Sequence, residues 1–406
     1  MGCSVGTTPT IVDPSNPSRS AVGAPSLAIL FLAFLRLGAT AFGGPAMVAY
    51  IKDLAVARRE WVDEADFEDG VALCQTIPGA TAMQTVAYVG LVTRGVPGGL
   101  VAYAGFGLPA FCLMLGLTAL YLHTRTLPVT ISVFLGLTAV VVALIANAAC
   151  NFARSSIKNW RGAALALAAA VALLLRINPI LVIAGCGIAG AWLLTGPNSL
   201  RTSRGDLSRH RDFLRPTLAL ALAAGGAVGL LFLMDRQLFD LAVTMIRVDL
   251  VAFGGGFASV PLMQREVAEV RGWMSVQTFM DGIALGQVTP GPIVITATFV
   301  GYLCRGIPGA LVSTMSVFSP SFIMVALIAP HFDRLQRLAP FRGATRGALL
   351  SFVGLLAAVT VQFGLATPWT VRTTILAVVA FVALRLKVDV LWVVVAGVVV
   401  SLLPAW

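Results

Sequence analysis

Read for its alternation of apolar and polar positions, the chain is a train of long apolar runs cut by short polar breaks. Runs long enough to cross about 30 Å of hydrocarbon fall near 27–49, 97–122, 129–151, 160–176, 178–195, 216–234, 238–260, 308–330, 343–362, 369–385 and 388–404. Two more apolar segments, 66–94 and 276–304, are interrupted at Pro78-Gly79 and Pro290-Gly291. Proline removes a backbone donor and crowds the preceding turn, and glycine lets the chain turn freely, so each segment predicts two half-helices meeting inside the membrane.

The pattern is stated twice, 211 residues apart. Ala41-Phe42-Gly43-Gly44 returns as Ala252-Phe253-Gly254-Gly255, and Arg94-Gly95 with Pro97-Gly98 returns as Arg305-Gly306 with Pro308-Gly309. Between them, the nineteen positions from Trp61 to Gly79 share nine identities with Trp273 to Gly291. An internal repeat in an apolar chain predicts a transporter made of two related halves. The expected fold is therefore an all-α polytopic membrane protein of about 13 spans, with two inverted repeats joined by a linker helix. Its parts are a disordered polar tail (1–26), a first repeat (27–195), a basic cytoplasmic loop with the linker helix (196–237) and a second repeat (238–406).

The span count assumes that the broken segments cross. With the N-terminus inside, 18 Lys/Arg then fall on the inner side and 8 on the outer, while Arg36 and Arg247 stay in the membrane. Re-entrant hairpins give at best 16 against 10, which satisfies the positive-inside rule less well. An odd number of spans before the second repeat inverts it and puts the C-terminus outside.

Composition agrees with the bilayer: 58% apolar, 11% charged, mean hydropathy +0.90, against about 25% charge in soluble domains. The net charge of +10 comes from single basic residues in short loops, as orientation signals require, and not from a nucleic-acid surface. Six cysteines form no CxxC pair and three histidines are scattered, so packing roles are expected and no metal or cofactor is implied. No phosphate-binding GxxxxGK[ST] run occurs, which argues against ATP-driven pumping by this chain.

Candidate chemistry gathers at the breaks. Arg36 and Arg247 are matched charges near the middle of their spans, where a charge is a functional-site hypothesis, with snorkelling as the bland alternative. Phe42, Gly43 and Gly44, with Phe253, Gly254 and Gly255, let a ligand or a neighbouring backbone come close. The breaks Pro78-Gly79 and Pro290-Gly291 begin half-helices whose free N–H groups suit an anion. Gln75 and Gln287, three residues earlier, add donors without charge. No Asp or Glu occurs between Gly70 and Gly205 or between Gly282 and Phe332, which favours an anion route over a cation route. Asp69 and Asp281 are matched carboxylates nine residues before each Pro-Gly, read either as proton carriers or as charges suited to a helix start.

The run Gly38 to Gly79, with its FGGP, distal Trp and LCQTIPG, resembles the first half of the chromate ion transporter family. FGGG, Gly272-Trp273 and ALGQVTPGP, from Ala284 to Pro292, resemble the second half. The resemblance covers about 27 to 404. It implies multi-pass efflux of chromate across the bacterial inner membrane, with chromate resistance, and sulfate as a similar dianion. Inside-negative potential would drive a dianion outward without a coupling carboxylate. The alternatives are another oxyanion transporter, proton-coupled through Asp69 or Asp281, or an anion channel. A membrane-embedded enzyme would need a redox group that the sequence does not suggest. The expected partners are the substrate anion and the lipid bilayer, and a homodimer is admitted.

Overall fold

The computed structural model describes residues 25–42, 46–194 and 213–402, and all regular structure among them is helical. The tail, Gly43, Gly44 and most of the basic loop lie outside the described residues. The first repeat comprises α1 (Leu27–Thr40), α2 (Ala46–Lys52) running into a π-helical turn (Asp53–Arg58), α3 (Glu64–Thr76), α4 (Thr81–Thr124), α5 (Pro128–Ser156), α6 (Trp160–Leu174) and α7 (Pro179–Leu193). The linker is α8 (Leu214–Met234). The second repeat matches it: α9 (Arg236–Val251), α10 (Gly256–Gln264) with its π turn (Arg265–Val270), α11 (Val276–Val288), α12 (Thr296–Ile328) and a short α13 (Phe332–Arg337). It closes with α14 (Ala339–Ala366), α15 (Val371–Arg385) and α16 (Val390–Ser401).

Length and apolar character make five stretches able to cross a membrane: Thr81–Thr124, Pro128–Ser156, Leu214–Met234, Ile293–His331 and Ala339–Ala366. Shorter apolar helices, α1, α6, α7 and α16, accompany them.

The broken segments turn back on themselves. Gly70 of α3 lies against the Tyr88 ring of α4, whereas eighteen residues of unbroken helix would separate them by about 27 Å. Gly282 lies likewise against Phe299. Each Pro-Gly pair is therefore the tip of a hairpin. The preceding break turns too, since Phe34 of α1 meets Trp61 beyond the π turn at 6.1 Å between ring centroids. The thirteen-span expectation rested on crossing segments, and these hairpins remove that basis. Proline and glycine interrupt a helix whether the chain continues or turns back, and the contacts of Gly70 with Tyr88 and Gly282 with Phe299 show that it turns back.

α4 and α12 each reverse again where the Arg-Gly pairs stand. Arg94 and Gly95 have φ/ψ of −141/20 and 66/−159, and Arg305 and Gly306 repeat this at −147/28 and 60/−145. A positive φ of this kind suits glycine. Beyond the turns, Gly90 packs on Gly98 and Gly301 on Gly309, backbone to backbone.

The equivalent Arg-Gly turns of the two repeats lie at opposite ends of α8. The Gly95 turn sits by Phe213 at the start of α8, and Arg305 pairs with Asp235 just past its end. The 21 residues of α8 separate those points by about 31 Å. The repeats also exchange arms. α6 and α7 pack on α14, where Gly354 meets Ala166 and Ala170, and Gly347 meets Cys186. α15 and α16 pack on α5, where Gly136 meets Leu376 and Ser401 and Arg385 donates to Asn151 at 2.9 Å. Small residues bring these helices into van der Waals contact, the main source of association where lipid is as apolar as the helices.

Candidate functional site

The tips of the hairpins meet across the two repeats. The N–H of Gly79 donates to the carbonyl of Ala252 at 2.9 Å, and the N–H of Gly291 donates to the carbonyl of Ala41 at 3.0 Å. These are the same bond made twice by equivalent residues. Each Pro-Gly tip of one repeat is thus tied to the Phe-Gly-Gly break of the other. Both glycines hold positive φ, +119 and +107, which other residues adopt only with strain.

Helix starts converge here. Gly255, whose φ is +95, faces Thr81 at the N-terminus of α4, and Gly256 at the start of α10 faces Ile293, which leads into α12. Helix N-termini carry unpaired N–H groups and about half a positive charge each, while helix C-termini carry the opposite partial charge. The opposite ends of α1, α3, α9 and α11 reach the same region.

The residues named from sequence are placed as follows. Pro78, Gly79, Pro290, Gly291 and Gly255 are buried at the contact, with Phe42, Phe253 and Gly254 half-buried beside it. Gly43 and Gly44 fall outside the described residues. Arg36 and Arg247 lie five positions before Ala41 and Ala252, on exposed faces of α1 and α9, and do not enter the tip contact. Gln75 is exposed. Gln287 is half-buried, and its side-chain N–H group has no acceptor among the described residues. Asp69 is half-buried, while Asp281 is buried and accepts from the Tyr121 hydroxyl at 2.8 Å. Next to that pair, Gln277 donates to Thr138 at 2.6 Å, which ties α11 to α5 of the other repeat.

Sequence reasoning passed over one group. Asp249, in the last turn of α9, is 1% exposed. It accepts from the Ser321 N–H at 2.8 Å and from its hydroxyl at 2.6 and 2.8 Å. Ser321 leans on Gly79, and the Gln84 side chain donates to the Pro78 carbonyl on the other side of the same tip. The signal was available: Asp249 is a carboxylate in an apolar run, two positions after Arg247, and a charge there is a site hypothesis by default. It has no matched partner in the first repeat, where Gly38 stands at the equivalent position.

Charged groups outside the apolar core mark the edges. Lys52 bonds Glu64 at 2.6 Å, which raises the lysine and lowers the carboxylate from their ordinary values. Arg59 lies 6.0 Å from the Trp61 ring centroid and Arg271 5.0 Å from that of Trp273, a matched pair of cation–π contacts at the hairpin bases.

Two interlocked repeats with half-helix tips at their contact define the class: a membrane transporter built on an internal repeat. The chain belongs to the chromate transporter family, whose description matches residues 28–191 and again 239–402. The two matches are offset by 211 positions, the spacing of the repeat. An uncharacterised transporter of Methanocaldococcus jannaschii is 42% identical over 380 residues, covering 93% of this chain and 94% of that protein. A chromate transport protein of Cupriavidus metallidurans is 30% identical over 389 residues, covering 92% and 93%. A chromate transport protein of Pseudomonas aeruginosa is 29% identical over 351 residues, covering 83% and 81%. No solved structure matches this chain.

Proposed function

We propose that this protein exports chromate across the bacterial inner membrane, with the dianion held where the hairpin tips of the two repeats meet. The observation that carries this reading is the reciprocal pair of bonds from Gly79 to Ala252 and from Gly291 to Ala41. They gather half-helix N-termini at one point shared by two inverted repeats, the geometry that alternating access needs. Gly254, Gly255 and the Pro-Gly tips supply close backbone approach. Gln287 supplies an N–H group that awaits an acceptor. Arg36 and Arg247, exposed on matched faces one and a half turns from the tips, guide the anion to and from the site.

In this reading the chain crosses the membrane nine times: four times in each repeat and once as α8, with two hairpins entering from each side. The N-terminus lies inside and the C-terminus outside. The inside-negative potential is the driving force, since two charges moved through 100 mV are worth about 4.6 kcal/mol. Export of this kind gives chromate resistance. Sulfate is the second substrate the site fits, because tetrahedral dianions of similar size meet the same N–H groups.

The test is uptake of labelled chromate and labelled sulfate into inverted vesicles under an imposed potential. Saturable chromate uptake that stops when the potential is collapsed supports the proposal. Uptake that does not saturate marks a channel, and sulfate-only uptake reassigns the substrate.

A further inference from the structure

One buried ionisable group takes no part in the function as described. Asp249 lies three residues before Ala252, the residue whose carbonyl receives the Gly79 N–H. Ser321 supplies both donors to its carboxyl and at the same time leans on Gly79. On the same tip, Gln84 is fully buried, its amide N–H committed to Pro78, while its Oε1 has no donor among the described residues. The first tip is therefore rich in acceptors. The second tip has none of this. There Gly38 stands in place of Asp249, Ala110 in place of Ser321 and Ile295 in place of Gln84.

Among the described residues no cation is bonded to Asp249. Tyr103 faces it from α4, its hydroxyl donating to the Phe318 carbonyl at 2.9 Å, with Cys74 of α3 close behind. α12 presents Ser321, and its own titratable groups, Tyr302, Cys304 and Arg305, are far off at its start. α10 carries no titratable side chain, and α8 only Arg215 in its first turn. Arg247 points outward from the exposed side of α9. A second negative charge here, beside a site meant for a dianion, is repulsive. In surroundings of effective dielectric about 20, a unit charge about 10 Å from a dianion changes its affinity by roughly two orders of magnitude.

We propose that Asp249 is a proton-binding residue linked to the anion site, so that a proton on its carboxyl and an oxyanion dianion at the tips bind together. The proposal rests on the oxyanion reading above. By linkage, protons tighten anion binding and the anion tightens proton binding by the same factor. A dianion accompanied by one proton still carries net negative charge outward, so the potential keeps its role.

The test is calorimetric titration of sulfate into the purified full-length protein between about pH 5.5 and about pH 8.5, a range over which sulfate stays a dianion. Wild type should bind at least tenfold more tightly at the acid end. Asp249→Asn, which keeps the shape and an acceptor for the Ser321 N–H, should bind tightly at every pH. Asp69→Asn and Asp281→Asn should keep the wild-type slope. Ser321→Ala keeps the carboxyl but removes one donor, so the slope should persist with a displaced midpoint. Should Asp249→Asn fail to fold, this displacement decides the matter, and an unmoved midpoint overturns the proposal. A wild type without pH dependence, or an Asn variant with the wild-type slope, also overturns it. If wild type binds neither sulfate nor chromate at any pH, the oxyanion reading itself fails.

Discussion

The two Pro-Gly tips share a backbone and differ in what surrounds it. Both hold a glycine at positive φ, and both donate that glycine's N–H to the last residue before the other repeat's Phe-Gly-Gly break. Gly79 meets Gln84 and Ser321, which holds Asp249; Gly291 meets only the Ala110 methyl, and Gly38 occupies the position equivalent to Asp249. The backbone bonds tie each repeat to the other, and both copies keep them. The side chains are free to diverge, and the divergence has placed a buried carboxyl, Asp249, beside one tip and none at the equivalent position of the other. A site that is symmetric in its hydrogen-bond frame is thus asymmetric in its charge.

The largest effect should come from filling the tips. A Cβ on Gly79 would run into the Ser321 hydroxyl and come within 2.6 Å of the Gln84 amide, at a φ that already disfavours it. A Cβ on Gly291 would meet only the Ala110 methyl at 2.9 Å. Both changes carry the backbone cost of about 1–2 kcal/mol, and the first adds a collision with buried polar groups. Gly79→Ala is expected to lower chromate flux in vesicles more than tenfold at equal protein, and Gly291→Ala by less. Ser321→Ala added to Gly79→Ala should recover part of the loss. Equal losses at the two tips, or no recovery, would break the contrast.

A smaller and more even effect is expected from the arginines. Arg36 and Arg247 stand at equivalent exposed places, so the tip asymmetry should not reach them. Arg36→Gln and Arg247→Gln should each weaken flux strongly while leaving the protein inserted. Lysine should restore charge but not the forked donor pattern that suits an oxyanion. Wild-type rates in both Gln variants would make these arginines structural.

Much of this was legible in the chain. The apolar runs and the 211-residue offset carry the helical class, the two repeats and the linker, because burial in lipid and internal symmetry leave their mark residue by residue. The Pro-Gly and Phe-Gly-Gly breaks carry the tips. The sense of the break at Gly79 was not legible, because proline and glycine interrupt a helix equally well whether the chain continues or turns back. What decides it is Gly70 meeting Tyr88, a tertiary contact with no local signature. The exchange of α6 and α7 onto α14 is hidden for the same reason: apolar faces do not name their partners. Asp249 was legible as a lone charge but not as part of the tip, since Ser321, 72 positions away, is what links it to Gly79.

The smallest effect concerns the outer turns, where the repeats again share a backbone and differ in partner. At the first turn, the Arg94 side chain donates to the Pro25 carbonyl at 2.7 Å, a bond whose acceptor does not titrate. At the second, Arg305 pairs with the Asp235 carboxylate, and that pairing holds Asp235 below the usual carboxylate value. A carboxyl lowered in the folded state contributes stability above its unfolded value, near about 3.9, and loses it as pH falls through the folded value. Both side chains are partly exposed, so solvent screens the pair and the contribution is small. Asp235→Asn should therefore lower the unfolding midpoint slightly at pH about 7, and the gap from wild type should close as the medium is taken well below the unfolded carboxyl value. Asparagine still accepts from Gln237 and Leu238 as the N-cap of α9, so a gap that persists in strong acid would show that the loss does not arise from the charge paired with Arg305.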